Sequence, residues 1–267
     1  MGKNKLRKFS EIDRLDFVYQ YPFAVLQQEG FPHRGKWHEE VFGNDNPITL
    51  ELGCGKGEYA VGLARRNTGR NYIGVDIKGA RMWSGATQAA REVLSNIAFI
   101  RTSIELIDHF FAPGEVDEIW ITFPDPQMKK VRKRLTSTRF IEDYLKILAP
   151  GGIIRLKTDS PFLFDYTCEM ARQNGFEILA STSDLYADPN PDLPASLREI
   201  QTHYERQWLD RGLTIKYIAF RPENRRGNWI EPDPELFERD TYRSYSRGYI
   251  QMPQMMDPQS PVSVSND

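Results

Sequence analysis

The chain has 267 residues, 40% of them hydrophobic, enough for one large α/β domain with extensions. A formal net charge of −2 gives no global attraction to a polyanion, no stretch approaches the roughly eighteen apolar residues of a membrane span, and the charged N-terminus has no apolar segment behind it. A soluble, cytoplasmic protein without membrane association is expected; two cysteines are too few for a disulfide framework, and four histidines without ligand spacing leave no metal to propose.

Residues 1–46 join a basic start (Lys3, Lys5, Arg7, Lys8), an aromatic-rich piece (Phe17, Tyr19, Tyr21, Phe23) and a Gly/Pro/Trp stretch without clean periodicity. They read as an N-terminal extension. From residue 47, strand-like runs at 48–52, 72–75, 97–101, 117–123, 152–157, 176–181 and 213–220 alternate with helix-like runs at about 57–67, 78–93, 138–148, 161–173 and 195–210. Such alternation predicts a doubly wound, mostly parallel, seven-stranded sheet of Rossmann-like α/β class over residues 47–222. Gly151-Gly152 after Pro150, and Gly175 after Asn174, are helix-stop signals in the expected places. Residues 223–267 form a C-terminal extension that becomes a loose Pro/Ser/Asp/Met-rich tail from about Met252. Trp83, Phe99, Phe110 and Phe111 are expected in helix-sheet packing, Lys56 is expected to face solvent, and Arg225 and Arg226 are weak candidates for RNA contact.

The first strand carries Glu51 and ends in three alternate glycines, Gly53, Gly55 and Gly57. Glycines there let the backbone take positive φ angles and approach a ligand closely, with the amides of the next helix facing it. The second strand ends in Asp76, placed to accept both hydroxyls of a ribose. Dinucleotide sites prefer G-x-G-x-x-G, whereas here the third glycine comes one residue early and Glu58 follows it. An acid at the helix start repels a pyrophosphate and suits a positively charged amino-acid tail, so S-adenosylmethionine is preferred over a nicotinamide or flavin cofactor.

The fourth strand stops at Phe123-Pro124-Asp125-Pro126, at the sheet edge where open α/β folds bind ligands. Prolines on both sides fix the backbone and aim Asp125 into the crevice. Lys129, Lys130, Arg132, Lys133 and Arg134 follow directly, a cluster suited to phosphate. This set, with Lys157-Thr158-Asp159, Thr202-x-Tyr204-Glu205 and Gly212-x-x-Ile215, resembles the bacterial tRNA (guanine-N7-)-methyltransferase family over about residues 48–221.

The resemblance implies a class I methyltransferase fold and methyl transfer from S-adenosylmethionine to N7 of guanine 46, in the tRNA variable loop. It makes Glu51, Asp76 and Asp125 cofactor contacts, with Asp125 also at the active centre. Lys129, Asp159 and the segment Thr202, His203, Tyr204 and Glu205 become substrate contacts. Two positions depart from the family: Ser103 stands where an acid usually meets the adenine amino group, with Glu105 two residues on, and Gln127 replaces an aromatic. Thr202 and Glu205 also have the spacing of a helix capping box. Two other functions remain open from the residues alone: a methyltransferase for another RNA, a protein or a small molecule, and a non-catalytic cofactor-sensing RNA-binding module. Monomer and homodimer are equally compatible with the sequence.

Overall fold

The computed structural model describes residues 3–222 and 228–242; Arg225, Arg226 and the tail from Met252 lie outside them. One mixed sheet carries the fold. Its strands are β1 (Val18–Gln20), β2 (Ile48–Leu52), β3 (Asn71–Val75), β4 (Ile97–Arg101), β5 (Val116–Thr122), β6 (Leu148–Thr158), β7 (Glu177–Thr182) and β8 (Lys216–Arg221), in the order β1-β4-β3-β2-β5-β6-β8-β7. The first six run parallel, and β8 is antiparallel to both β6 and β7. The strand order reverses between β2 and β5, which pair with Leu52 opposite Ile121. The glycine turn and the Phe123–Pro126 turn therefore leave adjacent strands at the same level, at the switch point where such sheets bind ligands.

The sheet has eight strands rather than seven. Val18–Gln20 adds an edge strand beside Phe99–Arg101, and three residues are too few to show a period-two pattern. Residues 1–46 also bring Trp37 into the core, where it is 0% exposed, stacks on Phe111 and donates Nε1–H to the Phe110 carbonyl at 2.9 Å. Helix α1 (Lys3–Ile12) packs on α4 (Gly79–Arg91), with Trp83 donating to Glu11 at 2.6 Å. Phe99, Phe110 and Phe111 are fully buried, in keeping with the packing role expected of them.

Two helices differ from expectation for local reasons. The helix at 138–148 is α5 (Thr138–Leu145), because Leu148 already pairs with Val116 before a bulge that includes Gly151 at φ 77°. The 161–173 run is helix α6 (Pro161–Gln173) with the expected bounds, started by the Ser160 side chain accepting from Leu163 N–H. The single helix expected at 195–210 is two, α7 (Ser196–Glu199) and α8 (His203–Leu209), because Thr202 and Glu205 form a complete capping box that starts the second. Among the described residues, no helix is long and apolar enough to cross a membrane, and no group of His, Cys, Asp or Glu side chains could hold a metal ion.

Candidate active site

After β2 the chain turns through Gly53, Gly55 and Gly57, at φ 76°, 57° and 71°, into helix α3 (Glu58–Arg66). The three have different constraints. A Cβ on Gly57 would stand 2.9 Å from the Phe99 ring and 3.2 Å from the Gly85 Cα, so this glycine lets α4 press against the turn. A Cβ on Gly53 would meet no protein atom within 4 Å, because that backbone opens onto a cavity. Asp76 braces the turn: its Oδ2 accepts from Gly55 N–H at 2.9 Å and its Oδ1 from Lys78 N–H at 2.7 Å. Glu51, 2% exposed, accepts from the Thr122 hydroxyl at 2.6 Å and from Ala60 N–H at 2.8 Å, tying β2 to β5 and to the first turn of α3. Burial pushes its carboxyl up to about 7 against the pull of those two hydrogen bonds.

Two cavities that share Gly53, Asp76, Arg81 and Phe123 in their lining flank this turn. The larger, about 470 Å³, is lined by Gly53, Asp76, Ser103 and Glu105 together with Phe123, Asp125 and Lys133. The smaller, about 90 Å³, lies over Glu51, Gly55 and Glu58 and reaches Thr202 and Tyr204. Asp125 is exposed on the cavity wall, its Oδ1 accepting from Gln127 N–H at 3.0 Å. Its turn is tightly folded, since Phe123 and Gln127 both take φ 48°, a left-handed conformation uncommon outside glycine.

The basic run divides. Lys129, Lys130, Arg132 and Lys133 are exposed, and Lys133 lines the same cavity as Asp125. Arg134 is not a phosphate contact: it is 0% exposed, donates to the carbonyls of Pro126 and Gln127, and faces the Tyr166 ring at 3.9 Å. A short 3-10 turn over Val131–Lys133 sends this last cation inward.

The Thr202–Glu205 segment divides as well. His203 N–H donates to Glu58 at 2.9 Å, which brings Thr202 and Tyr204 to the smaller cavity. Glu205, proposed from the sequence as a substrate contact, is instead 0% exposed and paired with Lys157 at 2.7 Å, while Tyr186 donates to it at 2.9 Å. Lys157 also donates to the carbonyls of Leu197 and Ile200, so this pair fixes the α7–α8 connection. Asp159 is 1% exposed, accepts from the Tyr242 hydroxyl at 2.7 Å, and lines neither cavity. Its substrate role, like that of Glu205, does not fit the wall of the site.

Sequence reasoning missed Arg81, which lines both cavities, and Lys78 beside it. Their signal was weak: two cations just beyond Asp76, at the start of α4. The residues suit an adenosyl sulfonium donor. Glu51, Glu58 and Asp76 gather three carboxylates against Lys56 and Arg81 around the smaller cavity, and the bare backbone of Gly53 leaves room at its edge.

Residues 45–218 match a family model described as a putative methyltransferase. A protein of Bacteroides fragilis (strain YCH46), named tRNA (guanine-N(7)-)-methyltransferase, is 55% identical over 248 residues, 92% of this chain and 96% of its own. Proteins of the same name from Porphyromonas gingivalis and Christiangramia forsetii are 58% and 51% identical, covering 86% and 82% of this chain and 94% and 98% of theirs. Among solved structures, the 16S rRNA methyltransferase KamB superposes with a TM-score of 0.51 at 15% identity, over 68% of this chain and 90% of that one. The 16S rRNA (adenine(1408)-N(1))-methyltransferase of Catenulisporales acidiphilia gives 0.51 at 16%, over 72% and 94%. At such identities these two establish a shared fold alone. With the family model spanning the sheet and relatives more than half identical along nearly their whole length, the chain belongs to the tRNA (guanine-N7-)-methyltransferase family.

Proposed function

We propose that this protein transfers a methyl group from S-adenosylmethionine to N7 of a guanine in tRNA, guanine 46 of the variable loop. The observation that carries the reading is the shared cavity: Asp125 and Lys133 line the same space as Gly53 and Asp76. A donor held by the glycine turn and a base presented beside Asp125 therefore meet in one space.

The bound donor supplies an electrophilic methyl group on a positively charged sulfur. In this reading Asp76 takes the ribose hydroxyls, Glu51 and Glu58 the cationic amino-acid end, and Ser103 with Glu105 the adenine edge, a division supported by their lining the two cavities. Guanine N7 has an in-plane lone pair free at neutral pH, so no residue has to remove a proton before attack. The protein's contribution is to hold the reactants in line, an effect worth up to about 7–11 kcal/mol in ideal cases. As positive charge develops on the purine, the Asp125 carboxylate stabilises it. The same carboxylate can accept from guanine N1–H and N2–H, donors that adenine lacks at that edge. Glu205 and Asp159, being buried, leave this work to Asp125. N7 faces the deep groove of an RNA helix, so the guanine must turn outward, while Lys129, Lys130, Arg132 and Lys133 hold flanking phosphates.

The test is nucleoside analysis of tRNA incubated with the protein and S-adenosylmethionine. Formation of 7-methylguanosine is expected, and Asp125→Ala should lower kcat by about 10²-fold or more while still folding. Binding of tRNA and donor without a methylated base would instead indicate a non-catalytic module. A folded Asp125→Ala protein with a near-normal rate would remove Asp125 from the active centre.

A further inference from the structure

The turn that presents Asp125 rests on a cation that pairs with no carboxylate among the described residues. Arg134 is 0% exposed, and its Nε and Nη2 donate to the carbonyls of Pro126 (3.0 Å), Gln127 (3.2 Å) and Met128 (3.4 Å). Its Nη1 is buried without a hydrogen-bond acceptor among the described residues. A buried guanidinium so placed needs compensating charge from elsewhere.

That compensation lies behind an aromatic ring. The Arg134 Cζ sits 3.9 Å from the centre of the Tyr166 ring and 4.8 Å from that of Phe162. The Tyr166 hydroxyl donates to Glu231 Oε1, and Glu231 Oε2 accepts from the Thr138 amide at 3.0 Å and the Thr138 hydroxyl at 2.7 Å. A phenol that donates to a carboxylate gains electron density in its ring, and a richer ring attracts a facing cation more strongly.

We infer that Glu231 and Tyr166 are positioning residues for methyl transfer: the carboxylate polarises the phenol, the ring holds Arg134, and Arg134 holds the turn that carries Asp125. The inference rests on the role given to Asp125 above. Two facts set this chain of contacts apart from ordinary packing. The turn is the one with φ 48° at both Phe123 and Gln127, a conformation that persists only where its surroundings hold it, and its carbonyls are the ones Arg134 grips. Glu231 lies on the surface, beyond β8 and outside the residues matched by the family model, so a segment with no place in the sheet reaches back to the active-site turn.

The test compares Tyr166→Phe, Glu231→Gln and the double variant in the full-length protein, by hydrogen exchange without substrate and by steady-state kinetics. Both single variants should speed exchange over residues 123–130, where Gln127 N–H bonds to Asp125 and Lys130 N–H to the Gln127 carbonyl, and leave residues 58–66 unchanged. Each should lower kcat roughly three- to thirty-fold with KM for S-adenosylmethionine unchanged, and the double variant should be no worse than either single, since all break one chain of contacts. Arg134→Lys, which loses both the planar fork and the stacking, should loosen the same segment further. Unchanged exchange over 123–130, additive kinetic losses, or loosening that spreads equally to 58–66 would each overturn the inference. Exchange is read without turnover, so a failure to find 7-methylguanosine would count against the proposed reaction and leave this measurement meaningful.

Discussion

The Glu51 carboxylate holds two donors, the Thr122 hydroxyl and the Ala60 amide, yet burial still raises its pKa from 4.5 to about 7. The folded chain therefore keeps a proton there that the unfolded chain has lost. Stability from this group is fully present below pH 4.5, falls as pH rises, and levels off above about pH 7, a total change of at most about 3 kcal/mol. Glu51→Gln keeps one acceptor oxygen for the Ala60 amide, turns its NH2 toward the Thr122 hydroxyl, which can accept as well as donate, and cannot titrate. Without donor bound, the variant should gain thermal stability over the wild type on going from pH 5 to pH 8. Unfolding midpoints at the two pH values check this, and an equal gap at both would show that Glu51 titrates normally. If Glu51 meets the cationic end of the donor as proposed, the same variant should bind S-adenosylmethionine more weakly.

At the level of elements, the two glycine and proline turns were legible because each lies in one contiguous run directly after a strand. The capping box was legible too, and taken seriously it would have split the helix expected at 195–210. The fates of Glu205 and Arg134 were not, since burial is decided by partners distant in sequence: Lys157 for one, Tyr166 and Phe162 for the other. Edge strand β1 left no pattern because it is three residues long and its pairing is imposed by β4. The buried Lys157–Glu205 pair joins the end of β6 to the first turn of α8, and both side chains are 0% exposed. Removing one partner leaves a buried charge, so Lys157→Met should cost about 3–5 kcal/mol in denaturant unfolding. Adding Glu205→Gln, which removes the second charge and keeps an acceptor for the capping box, should restore part of the loss. A cost below about 1 kcal/mol for the single change would mean that water reaches the pair.

Across the whole molecule, a net charge of −2 hides a concentration of cations around one opening. Lys129, Lys130, Arg132 and Lys133 are exposed in the segment that follows the Phe123–Pro126 turn, and Lys133 lines the larger cavity together with Lys78 and Arg81. A polyanion approaching this protein is drawn by that local field, because charges beyond a Debye length of about 8–10 Å are screened at moderate salt. Each phosphate contact made by these side chains releases counterions and contributes roughly 0.7–0.9 to the slope of log affinity against log salt. Lys129→Ala with Arg132→Ala should therefore flatten the slope for tRNA by roughly 1.4–1.8 and raise the apparent KM for tRNA at moderate salt. Neither side chain lines either of the two cavities at the glycine turn, so the KM for S-adenosylmethionine should stay as it is. An unchanged slope would place the phosphates elsewhere on the surface, whereas the flattening expected here, with donor binding intact, ties the RNA path to the rim beside Asp125.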